Sequence, residues 1–301
     1  MSRNRLSGWV IVAVALMLTP SLMCAWGNEG HRAVTGVAAM KMPGIMPDFL
    51  RSARVRLEYL GPEPDRWRGA GEYALKNSQE PDHFIEFERL RALGELPRGR
   101  YEFYRLLYET RARTGADLLP EHVGLQPYIT MEIYDRLKVA FREYRRLQRA
   151  HQPTEAVEQN VVFYAGWLSH YVADGSNPLH TSVQYNGWVG PNPKRYSTSH
   201  DIHWEMEGPF VERNLAKMEF SELVNKPKLL ADPWHDYLNY LHDSNALVER
   251  VYELEKAGGF KGAGTRDSRE FIRERLAAGA QMLLNMWYTA WVESEKAVSS
   301  F

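Results

Sequence analysis

The sequence is poor in cysteine and in net charge. Cys24 is the only cysteine among 301 residues, so the chain forms no internal disulfide, and 37 Lys and Arg balance 38 Asp and Glu. Tight sequence-independent binding of long nucleic acid requires a broad basic surface, which this balance does not favour. If the protein is exported, a bound metal is the expected replacement for the missing disulfides.

The first 25 residues contain the one conspicuous apolar run. It extends from Trp9 to about Leu18, after Arg3 and Arg5, and is too short to span a bilayer. With small Ala25 at the end of the segment, this pattern predicts a cleaved signal peptide over residues 1–25 and a secreted or periplasmic protein.

The predicted mature chain, residues 26–301, has no remaining cysteine and no transmembrane segment. Removal of the signal leaves 35 basic and 38 acidic residues, a net charge of about −3. Lipidation at Cys24 is an alternative, which Leu22 and Met23 disfavour because small residues usually precede a lipidated cysteine.

Helical spacing dominates the mature part, whereas strand-like alternation is scarce. The apolar positions at this spacing are Ile129, Ile133, Leu137 and Ala140, then Val157, Val161, Tyr164, Ala165 and Leu168. A third helix is predicted from "DSRE", with Asp267 as its cap and Glu270 reaching back. The pattern predicts an all-α fold in a single multi-helical domain.

Two stretches interrupt this pattern with Gly, Pro and polar residues. They are "LGPEPDRWRGAGE" (60–72) and "TSVQYNGWVGPNPKRYSTSHD" (181–201). We expect both to be loops that line a site.

The segment "GWLSHYVADGSNPLH" concentrates residues that bind metals. His170 and Asp174 are four residues apart, so on a helix they share one face. Gly175 and Pro178 break that helix and are expected to fold His180 back toward the pair. This arrangement predicts the beginning of a metal site.

Further imidazole and carboxylate groups are available to complete it. His203 and Glu207 repeat the four-residue spacing, and His31, Asp65 and His83 lie in polar or punctuated segments. Nitrogen and oxygen donors without thiolates suit zinc at hydrolytic sites.

His200 competes with His203 as a ligand. We favour His203, because the residue four positions after His200 is Trp204, which cannot bind a metal.

In combination, these residues resemble the zinc-dependent phospholipase C and S1/P1 nuclease superfamily, whose members are all-α and hold three zinc ions. "WGxxGH" is matched by Trp26 to His31, and "HxxxDxxxPLH" by His170 to His180. An H-x3-acid pair follows at His203, so the resemblance covers the chain from Trp26 to about Val211.

The resemblance implies three zinc ions per chain, each with its own ligand set. The first set is Asp65, His83, His170 and Asp174; the second is the amino nitrogen and carbonyl of Trp26 with His31 and the bridging Asp174; the third is His180, His203 and Glu207. Paired zinc ions lower the pKa of a shared water toward neutrality, and a third ion with an open position stabilises a phosphate oxyanion.

Two residues are expected to act in catalysis. Asp65 is expected to orient the attacking water or to accept its proton. Arg68, three positions later, is a candidate clamp for the phosphate, with an ordinary surface cation as the alternative.

The substrate class stays open between two branches of the superfamily, with a slight lean to a nuclease for single-stranded nucleic acid. The chain lacks the Gly-Gly-Asn segment that nucleases carry after Pro-Leu-His. As in the phospholipase branch, the last ligand position is a glutamate, Glu207, and Glu29 is placed to contact a choline head group. Either branch therefore predicts a phosphodiester substrate.

Aromatic side chains in the expected site loops do not decide between the branches. Trp67, Tyr185 and Trp188 suit either a stacked base or a quaternary ammonium group. A zinc-stabilised binding protein without turnover is a third hypothesis, which the presence of Asp65 disfavours. No stable protein partner is predicted.

Overall fold

The structure is a computed structural model that describes residues 26–296. Within this range the chain forms helices and no β-strand, which confirms the predicted all-α class. The predicted signal peptide, residues 1–25, lies outside the described residues. The α-helices in chain order are α1 Gly27–Met40, α2 Asp48–Ser52, α3 Arg54–Leu60, α4 Glu63–Gly69, α5 Tyr73–Gln79, α6 Phe87–Leu90, α7 Arg100–Thr114, α8 Pro120–Val123, α9 Gln126–Arg149, α10 Glu155–Asp174, α11 Ile202–Glu205, α12 Val211–Asn214, α13 Pro233–Asn245, α14 Val248–Lys256 and α15 Arg266–Glu293.

Shorter helical turns connect several of these helices. They are the 3-10 turns Glu80–His83, Pro178–Thr181, Leu215–Lys217 and Ser221–Leu223, and the π-helical turn Met206–Phe210. Three of the five carry residues of the predicted metal site.

Helix α10 is the central element of the fold. It packs against α9, α15, α3 and α1, and its second half is buried on nearly all sides. The apolar spacing that predicted α9 and α10 is confirmed, since Val161, Ala165 and Leu168 are buried in the core. Gly166 permits the close approach of α3, because a Cβ there would lie 2.4 Å from the Cβ of Leu60.

The predicted break after α10 is also confirmed. The helix ends at Asp174 with Gly175 as its C-cap, and Pro178 begins a 3-10 turn. Asn177 caps that turn by accepting a hydrogen bond from the backbone nitrogen of Leu179. The chain therefore reverses within a few residues and returns His180 toward α10.

Two local predictions were wrong. Residues 60–72 are not a continuous loop, because α4 forms inside them and has Pro64 in its first turn, where proline costs no hydrogen bond. The cap of α15 is Thr265 rather than Asp267, and the Thr265 hydroxyl accepts a hydrogen bond from the backbone nitrogen of Ser268.

Residues 181–201 are irregular, as predicted. Apart from the end of a 3-10 turn at Thr181, the segment contains only an isolated bridge between Tyr185 and Gly187. Among the described helices, none has both the length and the apolar character needed to cross a membrane.

Candidate metal centre

Eight predicted ligands are buried, four of them in α1, α4 and α10 and the other four in α11 and in three of the short helical turns. Each is at most 6% exposed. They form three groups whose donor atoms lie within 4.8 Å of one another. Cluster A is Asp65, His83 and His170; cluster B is His31, His170 and Asp174; cluster C is His180, His203 and Glu207.

Asp174 joins clusters A and B through its two carboxylate oxygens. Oδ2 lies 3.2 Å from Nδ1 of His83 and 3.4 Å from Nε2 of His170. Oδ1 lies 3.3 Å from Nε2 of His31. The carboxylate therefore faces both groups, as the bridging role expected from the resemblance requires.

Asp65 also faces two groups. Its Oδ1 lies 3.9 Å from both His83 Nδ1 and His170 Nε2, while its Oδ2 lies 3.9 Å from His31 Nε2. Arg68, one turn later on α4, donates a hydrogen bond to Oδ1 at 2.9 Å. The two residues predicted to act in catalysis, Asp65 and Arg68, are therefore in direct contact at cluster A.

Cluster C is built across the change from α11 to the π-helical turn. His203 is the second residue of α11, and Glu207 lies in the turn Met206–Phe210, which contains Pro209. Oε2 of Glu207 lies 2.8 Å from Nε2 of His203 and 3.5 Å from Nε2 of His180. Wide π-helical turns of this kind are frequent at functional sites.

Backbone carbonyls orient two of the imidazole rings. Nδ1 of His170 lies 2.9 Å from the carbonyl oxygen of Gly61, and Nδ1 of His180 lies 2.7 Å from that of His83. Because a carbonyl only accepts hydrogen bonds, each Nδ1 carries a proton. The Nε2 atoms of His170 and His180 are thereby directed into the site, an arrangement typical of metal-binding histidines.

The donor set fits zinc by two criteria. Four ligands placed tetrahedrally at 2.0–2.1 Å from zinc lie about 3.4 Å apart. For cluster A together with Asp174, the distances from His83 Nδ1 to His170 Nε2, Asp174 Oδ2 and Asp65 Oδ1 are 3.0, 3.2 and 3.9 Å.

The second criterion is the presence of buried side-chain nitrogen and oxygen atoms that make no hydrogen bond of regular geometry. Among the described residues, these atoms include both ring nitrogens of His31 and His203, Nε2 of His180, and one oxygen each of Asp65 and Asp174. Orphaned buried donors and acceptors are rare in folded proteins, and their concentration at one place indicates a ligand.

Electrostatics make the site a strong cation acceptor. Burial lowers the pKa of His83 and takes that of His170 well below the usual value. Burial alone would raise the pKa of Asp174, but His170 and His180 lower it well below the ordinary range. His203 and His180 likewise lower the pKa of buried Glu207.

His180 is the exception among these histidines. Burial acts to lower its pKa, but Asp174 and Glu207 raise it to about 9. Without metal, a proton on His180 therefore compensates part of the carboxylate charge. Metal binding at cluster C must displace that proton.

Trp26 lies next to cluster C. Its backbone nitrogen donates a hydrogen bond to Oε2 of Glu207 at 3.2 Å, and its carbonyl accepts one from Gly30. The indole nitrogen donates to the carbonyl of Ala173 on α10. The structure thus places the predicted terminal ligand beside Glu207, while its assignment to the site of His31 stays a prediction.

The predicted substrate contacts are spread over three places. Glu29 is exposed on the first turn of α1. Tyr185 is 45% exposed, and its ring centroid is 6.3 Å from that of His203, so it borders cluster C. Trp188 contacts the ring of Tyr196, which belongs to the same loop, and the ring of Tyr252 on α14.

Trp67 is the remaining predicted substrate contact, and it lies apart from the other three. It is half-buried on α4, and its ring contacts Phe163 and Trp167 on α10. The substrate roles of Glu29, Trp67, Tyr185 and Trp188 remain predictions.

Sequence reasoning missed Asn177. Its amide nitrogen donates to Oε2 of Glu207 at 3.0 Å while its amide oxygen caps the turn before His180. The available signal was an asparagine directly before Pro178, a typical turn position. Of the two competing histidines, His200 is exposed and His203 is buried in cluster C.

No protein-family model matches the chain, and no curated protein matches it in sequence. The solved structures similar to it include the alpha-toxin of Clostridium perfringens isolated from avian strain SWCP, with 14% identity and a TM-score of 0.42 over 92% of this chain. Another is the alpha toxin from Clostridium absonum, with 10% identity and a TM-score of 0.44 over 90% of this chain. The chain spans 66% of the length of each toxin.

Proposed function

We propose that this protein is a zinc-dependent phosphodiester hydrolase of the phospholipase C and S1/P1 nuclease type. The observation that carries the proposal is the convergence of clusters A, B and C, whose eight donor residues are buried together. In this proposal the three clusters hold three zinc ions. The predicted signal peptide places the protein in the periplasm or the medium.

The chain's own residues supply positioning, charge and proton transfer. Zinc held by these donors would supply a water of lowered pKa and stabilise charge on the phosphate. Oδ2 of Asp65 is buried and has no hydrogen-bond partner among the described residues, which leaves it able to accept a proton. Arg68 holds the other oxygen of Asp65 and is placed to bind a phosphate oxygen beside it.

Among phosphodiesters, we favour a phospholipid as the substrate over single-stranded nucleic acid, although the sequence slightly favoured a nuclease. The similar solved structures do not support the nuclease hypothesis. Two exposed carboxylates, Glu29 and Glu212, lie near the start of α1. Glu212 is close to Gly27, since a Cβ on that glycine would lie 3.9 Å from Oε1 of Glu212. The same Cβ would lie 3.2 Å from the carbonyl oxygen of Glu207, a residue of cluster C. The carboxylates of Glu29 and Glu212 repel a polyanion such as nucleic acid and attract a cationic lipid head group.

The test is a parallel assay of zinc-loaded protein beginning at Trp26. The substrates are bis(p-nitrophenyl) phosphate, single-stranded DNA, RNA and phosphatidylcholine, and Asp174→Asn is the inactive control. We expect hydrolysis of the chromogenic diester and of phosphatidylcholine. Hydrolysis of DNA or RNA without the lipid would restore the nuclease interpretation, and zinc binding without any turnover would favour the non-catalytic binding protein.

A further inference from the structure

The face of α10 that carries the metal ligands continues as an aromatic surface. Phe163, Trp167, His170 and Asp174 follow one another at helical spacing, so they lie along the same side of the helix. At 1.5 Å of rise per residue, Trp167 lies about 4.5 Å and Phe163 about 10 Å along the axis from His170. The aromatic surface therefore begins directly beside cluster A.

Helix α4 adds a third ring to this surface. Trp67 lies between Asp65 and Arg68 in sequence, and its ring centroid is 5.4 Å from Trp167 and 6.5 Å from Phe163. Phe163 and Trp167 are 5.9 Å apart. We call these three rings, Trp67, Phe163 and Trp167, the aromatic ledge.

Packing against the hydrophobic core accounts for only one ring of the ledge. All three side chains are half-buried, and of the three only Trp167 packs against the main core of the described residues. Polar groups lie at the borders of the ledge. The Trp67 indole nitrogen donates a hydrogen bond to Glu63, and the Arg136 guanidinium lies 5.8 Å from the Trp167 ring centroid. Partly exposed aromatic surface beside convergent polar groups is typical of a ligand subsite.

The orientation of the rings indicates what they bind. Trp67 crosses Trp167 at 77°, and Phe163 is inclined by 38° to Trp67 and by 47° to Trp167. A nucleobase held by stacking needs flat ring faces that it can lie against in parallel. Rings that meet at these angles provide no pair of parallel faces between which a base could be sandwiched, and together they form an uneven apolar surface, which suits a flexible hydrocarbon chain.

We propose that the aromatic ledge binds the acyl chains of a glycerophospholipid whose phosphate lies at the metal clusters. The proposal rests on the proposed phosphodiester hydrolase activity, which it deepens by locating the apolar part of the substrate. Because α4 and α10 carry both the ledge and ligands of cluster A, chain binding and phosphate placement are rigidly coupled.

The first experiment compares two soluble substrates that differ only in their chains. Zinc-loaded Phe163→Ala and Trp67→Leu proteins are assayed on dihexanoyl-phosphatidylcholine and on glycerophosphocholine. We expect the ratio of kcat/KM for the chain-bearing substrate to that for the chainless one to fall by about tenfold or more, since each buried methylene contributes several-fold in affinity. The control variant Tyr108→Ala, which changes an exposed side chain of α7, should leave the ratio unchanged. An unchanged ratio in both ledge variants, or an equal loss on both substrates, overturns the proposal.

The second experiment does not require turnover. A dihexanoyl-phosphatidylcholine analogue with a methylene in place of the scissile oxygen is titrated while tryptophan emission is recorded. We expect a saturable change that is mostly lost in Trp67→Phe. No change, or a response to a single-stranded oligonucleotide instead of the lipid analogue, overturns the ledge. A clear response in a protein that hydrolyses no diester keeps the ledge and rejects the proposed activity.

Discussion

At the scale of single residues, Asp174 connects the site. Its two oxygens lie within 3.4 Å of nitrogens of His31, His83 and His170, and Oδ2 lies 3.8 Å from Nδ1 of His180. No other side chain among the described residues lies this close to four histidines of the site.

Asp174→Asn should therefore be the most damaging change to a single ligand. We expect zinc content to fall by two ions per chain and kcat/KM to fall by at least about a hundredfold, because both clusters lose charge compensation. Zinc analysis with steady-state kinetics tests this. The matched change Glu121→Gln, on the surface, should alter neither quantity. A smaller loss than that caused by Asp65→Asn would contradict the bridging role.

His180 gives the metal-free protein a specific pH dependence. Its pKa is raised from the usual 6.5 to about 9, so the folded chain binds this proton more tightly than the unfolded chain does. The resulting stabilisation is complete below pH 6.5 and is lost as the pH rises to about 9. We expect the free energy of unfolding of chelated protein to fall by roughly 2–3 kcal/mol across this range.

Urea denaturation at pH 6.5 and pH 9 measures this effect. His180→Asn removes the titrating group and should reduce the pH dependence. A fall of equal size in that variant would show that another group is responsible.

At the scale of secondary-structure elements, the site depends on how helices end. Helix α10 delivers His170 and Asp174 in its last turns, and the break at Gly175 returns His180 within a few residues. A π-helical turn follows α11 and brings Glu207 against His203. The break after α10 thus provides His180, a donor that a continued regular helix would direct elsewhere.

The corrected cap of α15 can be tested directly. Thr265 and Ser268 form a reciprocal capping box, with hydrogen bonds of 3.1 and 3.0 Å. Thr265→Ala should lower the free energy of unfolding by about 1 kcal/mol. Asp267→Ala should change it by less than about 0.5 kcal/mol, because its side chain is 71% exposed. Equal losses of unfolding free energy in the two variants would contradict the assignment of Thr265 as the cap and favour Asp267.

At the scale of the whole molecule, the candidate metal centre joins distant parts of the chain. Its donors run from His31 in α1 to Glu207 after α11, across α4, α10 and two 3-10 turns. With Cys24 as its only cysteine, the chain has no internal disulfide to share this task. Bound metal is therefore expected to contribute much of the stability.

We expect close to three zinc ions per mature chain and a fall in Tm after chelation. Ligands that bind only the folded state add about 4 kcal/mol at a thousandfold excess over Kd, so the loss should be large and reversed by zinc. Elemental analysis and calorimetry measure both quantities. One ion or none in active protein would rule out the three-ion site.

The chain terminus provides the last prediction. In the full sequence the nitrogen of Trp26 belongs to a peptide bond and is a very poor ligand, whereas signal removal would make it an amine with a pKa near 8. Protein that begins at Trp26 should hold more zinc and turn over faster than protein with one added alanine. Identical zinc content and rates would show that the terminus is not a ligand.

The sequence by itself determined the helical class and identified the candidate donors. Periodic apolar positions specify α9 and α10 because burial of one helix face needs only local spacing. The pairs His170 with Asp174 and His203 with Glu207 were visible for the same reason, since four residues make about one turn. Gly175 and Pro178 likewise predicted the end of α10, because the backbone preferences of glycine and proline disfavour a continued helix.

Only the tertiary structure decided which donors meet and what surrounds them. Asp65, His83 and His31 lie far from α10 in sequence, and their approach depends on how α1, α4 and a 3-10 turn pack against it. The carbonyls that orient His170 and His180 belong to Gly61 and His83, which no local spacing connects to them. The aromatic ledge also requires α4 to lie across α10. Long-range packing fixes such contacts through shape and burial summed over many residues, so no short motif encodes them.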